Sequence, residues 1–266
     1  MRRLFLSGIW KNIRACLCCG KTLVAFVASL VALLAASCAS QGPAVAETAP
    51  ANPRVYLGNV CDELSKPWPK NRIINIVCHG HSVPAGYFKT PEVRTFDAYP
   101  ALMHQQLCRR FPHAVINVIV TAIGGENSES GALRFEGDVL SLRPDVVTID
   151  YALNDRGIGL RRSEKAWRTM IEMALARHVK ILLLTPTPDL RAQLDNPRDS
   201  LNEQAGQIRR LSREYGVGLV DSLARFQEAA HAGGHLADYM AQSNHPNRRG
   251  HELVAEELLK WFPGPP

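Results

Sequence analysis

From residue 72 onward two periodicities alternate along the chain. Runs at 73–78, 115–123, 146–151, 180–184 and 217–220 are rich in β-branched residues and Leu on both faces, the pattern of strands covered by helices on both sides. Between them, residues 98–111, 130–142, 163–178 and 201–215 repeat apolar positions at three- and four-residue spacing, which reads as amphipathic helix. In the third of these Trp167, Met170, Ile171 and Ala174 form the stripe, with Ser163 as the expected cap and Glu164 in the first turn. A last helix over 249–261 offers Leu253, Val254, Leu258 and Trp261 to the core. Repeated βα units of this length predict an α/β fold, a three-layer α/β/α sandwich around a five-stranded parallel sheet with right-handed crossovers.

The amino-terminal pattern is different. Residues 1–37 hold Arg2, Arg3, Lys11, Arg14 and Lys21, no acid, and an apolar run over 22–36 that ends in small residues. This is the arrangement of an export signal, and the run is short for a membrane span of about 20 residues. Cleavage before Cys38, in the lipobox-like Ala35-Ala36-Ser37-Cys38, leaves that cysteine as a lipid anchor; cleavage after Ala39 gives a secreted protein, and a retained anchor is the third option. The expected divisions are an export signal over 1–38, a tether and irregular segment over 39–71, and one domain over 72–266. The expected location is the periplasm or a membrane-anchored bacterial lipoprotein, alternatively the medium.

Removing five basic residues from a net charge of +6 leaves +1, so the basic balance belongs to the signal. The remainder has no basic run, zinc-finger spacing or RNA-binding aromatic motif, and no nucleic-acid partner is expected. Three of seven cysteines, Cys61, Cys78 and Cys108, fall in the folded part. An odd number gives no full disulfide framework. Cys78 reads as a buried hydrophobe, and a Cys61–Cys108 bridge is left open.

Four strings carry the chemistry: Gly80-His81-Ser82, Gly124-Gly125-Glu126-Asn127, Ala152-Leu153-Asn154-Asp155 and Asn244-His245-Pro246-Asn247. Each stands at the end of an expected strand or the start of an expected helix, and open α/β sheets bind ligands at the carboxyl ends of their strands. In this order and wording the strings resemble the SGNH, or GDSL-like, hydrolase family, over about residues 72–261. The resemblance implies a flavodoxin-like sandwich and a cofactor-free, metal-free serine esterase. Ser82 would be the nucleophile and His245 its general base and then acid. The backbone N–H of Ser82, the backbone N–H of Gly125 and the side-chain amide of Asn154 would form the oxyanion hole.

Two departures stand out. His81 occupies the place of the family's usual Asp before the nucleophile. Gln242 occupies the place of the Asp three residues before the histidine, where a carboxylate fixes the ring's tautomer and offsets its charge. The orienting group is then a backbone carbonyl, nothing at all, or Asp238, with Asp238 preferred. Tyr87, Glu126, Asn127 and Arg156 flank the strings and are the candidate substrate contacts.

The expected substrate is a small acyl ester, acetyl above all, on carbohydrate. A lysophospholipase or thioesterase of the same family is the first alternative. A metal-dependent hydrolase using His79 and His81, with His104, Asp155 or His245 completing the set, is the second. A cell-surface binder that keeps the fold without turnover is the third.

Overall fold

Five parallel strands, β1 (Ile73–Gly80), β2 (Val115–Val120), β3 (Val146–Asp150), β4 (Lys180–Leu184) and β5 (Gly218–Val220), hydrogen-bond in the order β2-β1-β3-β4-β5. The computed structural model describes residues 51–264. The expected export signal, Cys38 and residues 39–50 of the expected tether and irregular segment lie outside the described residues. Among the described residues no helix is long and apolar enough to cross a membrane.

Along each strand successive side chains enter opposite layers, which is why the runs are mainly apolar on both faces. Ile74, Ile76 and Cys78 of β1 join one core and Val77 the other; in β4, Leu182 and Leu184 oppose Ile181 and Leu183. The first layer is closed by α1 (Gly58–Leu64), α3 (Tyr99–Arg110), α8 (Ser222–His231) and α9 (Arg248–Leu259), with Val60, Leu107, Phe226 and Leu258 buried. The second is closed by α4 (Ser128–Asp138), α6 (Leu160–Ala176) and α7 (Ser200–Tyr215), through Phe135, Trp167, Met170 and Leu211. Fully burying an apolar side chain of this kind contributes about 1.5–3 kcal/mol, and both cores draw on every central strand.

The chain runs from β1 to β2 on one side, then returns past β1 to β3 on the other. The crossover helices change face at this point, α3 lying in the first layer and α4 in the second. The loops after β1 and β3 therefore diverge and leave a crevice at the carboxyl ends of these neighbouring strands.

Several local expectations need correction. The segment before β1 is not irregular: it contains α1, and Tyr56 lies edge-on to Trp261, its hydroxyl accepting from the Ile181 amide at 3.1 Å. Ser163 is no cap, because α6 begins at Leu160 after Gly159, and Ser163 is buried against Gln204 and Gln207. α4 starts two residues early, at Ser128, because Asn127 caps it. α8 was not foreseen. Cys61 and Cys78 are buried free thiols and Cys108 an exposed one, so Cys61 and Cys108 are not bridged.

Two buried histidines give the fold an acid sensitivity. Burial pushes His79 down to about 4 and His251 down to about 3 from 6.5. As the pH falls below 6.5 the unfolded chain takes up these protons while the folded chain does not. Stability is therefore fully present above the unfolded value and declines at up to about 1.4 kcal/mol per pH unit for each ring. The urea midpoint is expected to drop clearly between pH 7 and pH 5; an unchanged midpoint would contradict this assignment.

Candidate active site

Ser82 follows β1 and opens α2 (Ser82–Ala85), a one-turn helix capped by His81, whose Nδ1 accepts from the Val83 amide at 3.2 Å. Gly80 is required at the bend. A Cβ there would meet the Asp150 carbonyl of β3 and lie 2.8 Å from the Pro84 ring. The tight turn directs the Ser82 hydroxyl across the crevice to His245, with Oγ 2.9 Å from Nε2. The serine and histidine lie 163 residues apart in the chain. Both are buried.

His245 lies on β7 (His245–Pro246), which pairs with β6 (Met240–Gln242) just ahead of α9. Asn247 caps α9 through the Gly250 amide and donates from Nδ2 to the Asp238 carbonyl at 2.9 Å. The imidazole Nδ1 meets the Phe88 carbonyl at 3.3 Å, which places the proton on Nδ1 and leaves Nε2 free to accept from Ser82. Asp238 does not orient the ring: its side chain is exposed on a 3₁₀ turn, and the backbone carbonyl of Phe88 takes that position. Burial lowers the His245 pKa, and the Phe88 contact works against the shift. The ring is thus poised as a neutral acceptor near pH 7.

Gln242 does not touch the ring either. Its Oε1 accepts from the Thr90 amide at 3.0 Å, and its Nε2 donates to Asn244. The first of these bonds ties the His245 ribbon to the loop that carries the Phe88 carbonyl. The Arg94 guanidinium over the Phe88 ring, 3.7 Å from its centroid, holds the same loop from the other side.

The expected oxyanion donors follow the carboxyl ends of β1, β2 and β3. The N–H of Ser82 is the first of its helix and has no intrahelical acceptor, and neither it nor the Gly125 N–H donates to a backbone carbonyl. Gly125 has φ +81°, a conformation that an L side chain rarely adopts. Asn154, on the short helix α5 (Ala152–Asp155) after β3, donates from Nδ2 to the Glu126 carbonyl at 2.7 Å. That bond fixes the amide and leaves its second N–H available.

The four expected substrate contacts divide. Glu126 is held by Arg134 at 2.6 Å, Asn127 caps α4, and Arg156 reaches Asp189 at 2.9 Å, so each has a structural partner. Burial raises the Asp189 carboxyl, but the Arg191 and Arg156 bonds outweigh it and hold it well below the usual range. Tyr87 alone of the four faces the site, its ring 5.8 Å from that of His245 and packed on Gly124.

The profile of the GDSL-like Lipase/Acylhydrolase family matches residues 78–253, well over half of the chain, and so takes in all four strings. The chain belongs to this family. This GDSL-like hydrolase is a serine enzyme acting on ester bonds, with the α/β sandwich expected of it. It is similar in structure to the acetylxylan esterase Axe2 from Geobacillus stearothermophilus, with 21% identity and a TM-score of 0.63 over 71% of this chain and 94% of that one. Catalytic mutants of Axe2 at a serine, a histidine and an aspartate are among the similar structures. A two-domain esterase active on acetylated mannans is similar at 22% identity and TM-score 0.63, over 78% of this chain and 52% of that one. No curated protein sequence matches the hydrolase.

The imidazoles of His79 and His81 do not converge. His79 bonds Thr121 at 2.9 Å and the Gly131 carbonyl at 3.1 Å in one direction, while His81 turns its two nitrogens to Val83 and Asp150. Among the described residues no three His, Cys, Asp or Glu side chains are grouped to hold a metal ion. Sequence reasoning allowed a backbone carbonyl behind the histidine but preferred Asp238 and did not single out Phe88, whose carbonyl carries no side-chain signal. It missed Asp150, although an acid closing an apolar strand was a visible cue.

Proposed function

We propose that the protein is an exported esterase that removes small acyl groups, acetyl above all, from carbohydrate through an acyl-enzyme on Ser82. The observation that carries the reading is the 2.9 Å contact between Ser82 Oγ and His245 Nε2. Ser82 Oγ attacks the ester carbonyl carbon as its proton passes to His245 Nε2. The carbonyl oxygen becomes an oxyanion facing the N–H groups of Ser82, Gly125 and Asn154. Its collapse breaks the bond to the leaving oxygen, and His245 returns the proton to the departing sugar hydroxyl. Water then attacks the acyl-serine with His245 as base, releasing the carboxylic acid and restoring the serine.

Throughout, the imidazolium is met by the dipole of the Phe88 carbonyl, a weaker partner than a carboxylate. The Tyr87 ring beside His245 supports a short acyl group, since it walls the crevice next to the reacting atoms. Similarity to esterases of acetylated xylan and mannan supports the sugar as leaving group. The run of basic and apolar residues over 1–37 supports export.

The test is a panel of p-nitrophenyl esters from acetate to palmitate, together with acetylated xylo- and manno-oligosaccharides and a lysophospholipid. Turnover is expected to be highest for acetate and to release acetate from the oligosaccharides. Rates that rise with chain length, or preference for the lysophospholipid, would replace this reading with the lysophospholipase alternative.

A further inference from the structure

Behind the nucleophile lies a second imidazole that the mechanism above does not use. His81 is fully buried, and its Nδ1 is 3.5 Å from Ser82 Oγ. On the far side of the ring, Nε2 faces Oδ1 of Asp150 at 3.5 Å. Neither of these two buried atoms has another partner. The second carboxyl oxygen of Asp150 accepts from the buried Tyr99 hydroxyl at 3.2 Å.

The tautomer of His81 follows from its neighbours. Val83 presents an N–H to Nδ1, and a donor there requires a bare lone pair, so the ring proton belongs on Nε2. Asp150 is the acceptor waiting for it. In the opposite tautomer an Nδ1–H would meet the Val83 N–H head-on and would donate to Ser82 Oγ, weakening its lone pair. Two other polar side chains near the pair are engaged elsewhere. Asp155 accepts from the Ser128 amide and from the Trp167 indole, and His245 is turned to Ser82 and Phe88.

We infer that His81 and Asp150 form a positioning pair for the nucleophile: Asp150 fixes the His81 proton on Nε2, which keeps Nδ1 an acceptor, anchors the helix start at Val83 and keeps a hydrogen-bond donor off the Ser82 Oγ lone pair. The pair gives a role to the first departure from the family pattern, with the carboxyl one strand deeper and an imidazole interposed. This inference rests on the reading of Ser82 as nucleophile, but its tautomer claim is separable from activity.

Asp150→Asn tests it. The new side chain is isosteric and its oxygen still accepts from Tyr99, but its NH2 offers His81 Nε2 a donor and so favours the wrong tautomer. The variant is expected to lose roughly 10–100-fold in kcat on p-nitrophenyl acetate with KM little changed. A purely structural Asp150 would instead lower the melting temperature and leave kcat intact, which overturns the inference. In wild-type protein labelled with ¹⁵N-histidine, the resonance pair missing from His81→Asn is expected to show a protonated Nε2 and a bare Nδ1. A proton on Nδ1 overturns the inference whatever the kinetics of Ser82→Ala. Loss of kcat in Asp150→Asn alongside an active Ser82→Ala would instead fault the nucleophile assignment.

Discussion

Ser82→Ala is expected to lower kcat for p-nitrophenyl acetate by about 10⁶-fold, the scale at which a serine hydrolase loses its nucleophile. The alanine keeps the backbone N–H, the His245 position and the fold, so binding and the melting temperature should be close to wild type. His245→Ala should be nearly as damaging, and the double variant no worse than either single, because the serine attacks only when its proton has somewhere to go. The 2.9 Å contact makes the two side chains one unit. Losses that simply multiply in the double variant would show that they act separately. A Ser82→Ala enzyme with substantial turnover would move the chemistry elsewhere.

The second large effect is expected at Asn154. Its Nδ2 is held by the Glu126 carbonyl at 2.7 Å, so the amide is already oriented before substrate arrives. Preorganised donors of this kind are worth about 3 kcal/mol each in the transition state. Asn154→Ala should therefore reduce kcat roughly 10²–10³-fold while KM changes little, since the carbonyl of the bound ester carries far less charge than the oxyanion. Asn154→Asp keeps the shape but brings a carboxylate toward both Glu126 and the oxyanion, and should be at least as slow. Steady-state kinetics of the two variants decides. A loss confined to KM, or a fall in melting temperature with kcat retained, would reduce Asn154 to a loop fastener.

The sheet was legible because burial under two helical layers demands apolar side chains on both faces, as Ile181 to Leu184 display. Helix α8 was not, because it follows β5 through Asp221 alone, leaving no loop to announce it, and its buried apolar residues are only Leu223 and Phe226. The two residues that meet across the crevice were readable from their strings. What orients them was not. The Phe88 carbonyl is a group that every residue type possesses, and only the loop geometry imposed by Thr90, Gln242 and Arg94 brings it to His245. Glu126 and Asn127 looked like substrate contacts from their place beside Gly125, yet the structure gives them an ion pair and a helix cap. Polar residues next to a site serve the backbone as often as the ligand, and sequence order does not separate the two.

The most direct measurement is intact-protein and peptide mass spectrometry after treatment with a p-nitrophenyl phosphonate, and separately after acid quenching during p-nitrophenyl acetate turnover. The account predicts one adduct per chain, on the peptide bearing Ser82, absent from Ser82→Ala and slow to form in His245→Ala. Inactivation with no adduct on that peptide, or with the adduct on another residue, would contradict it.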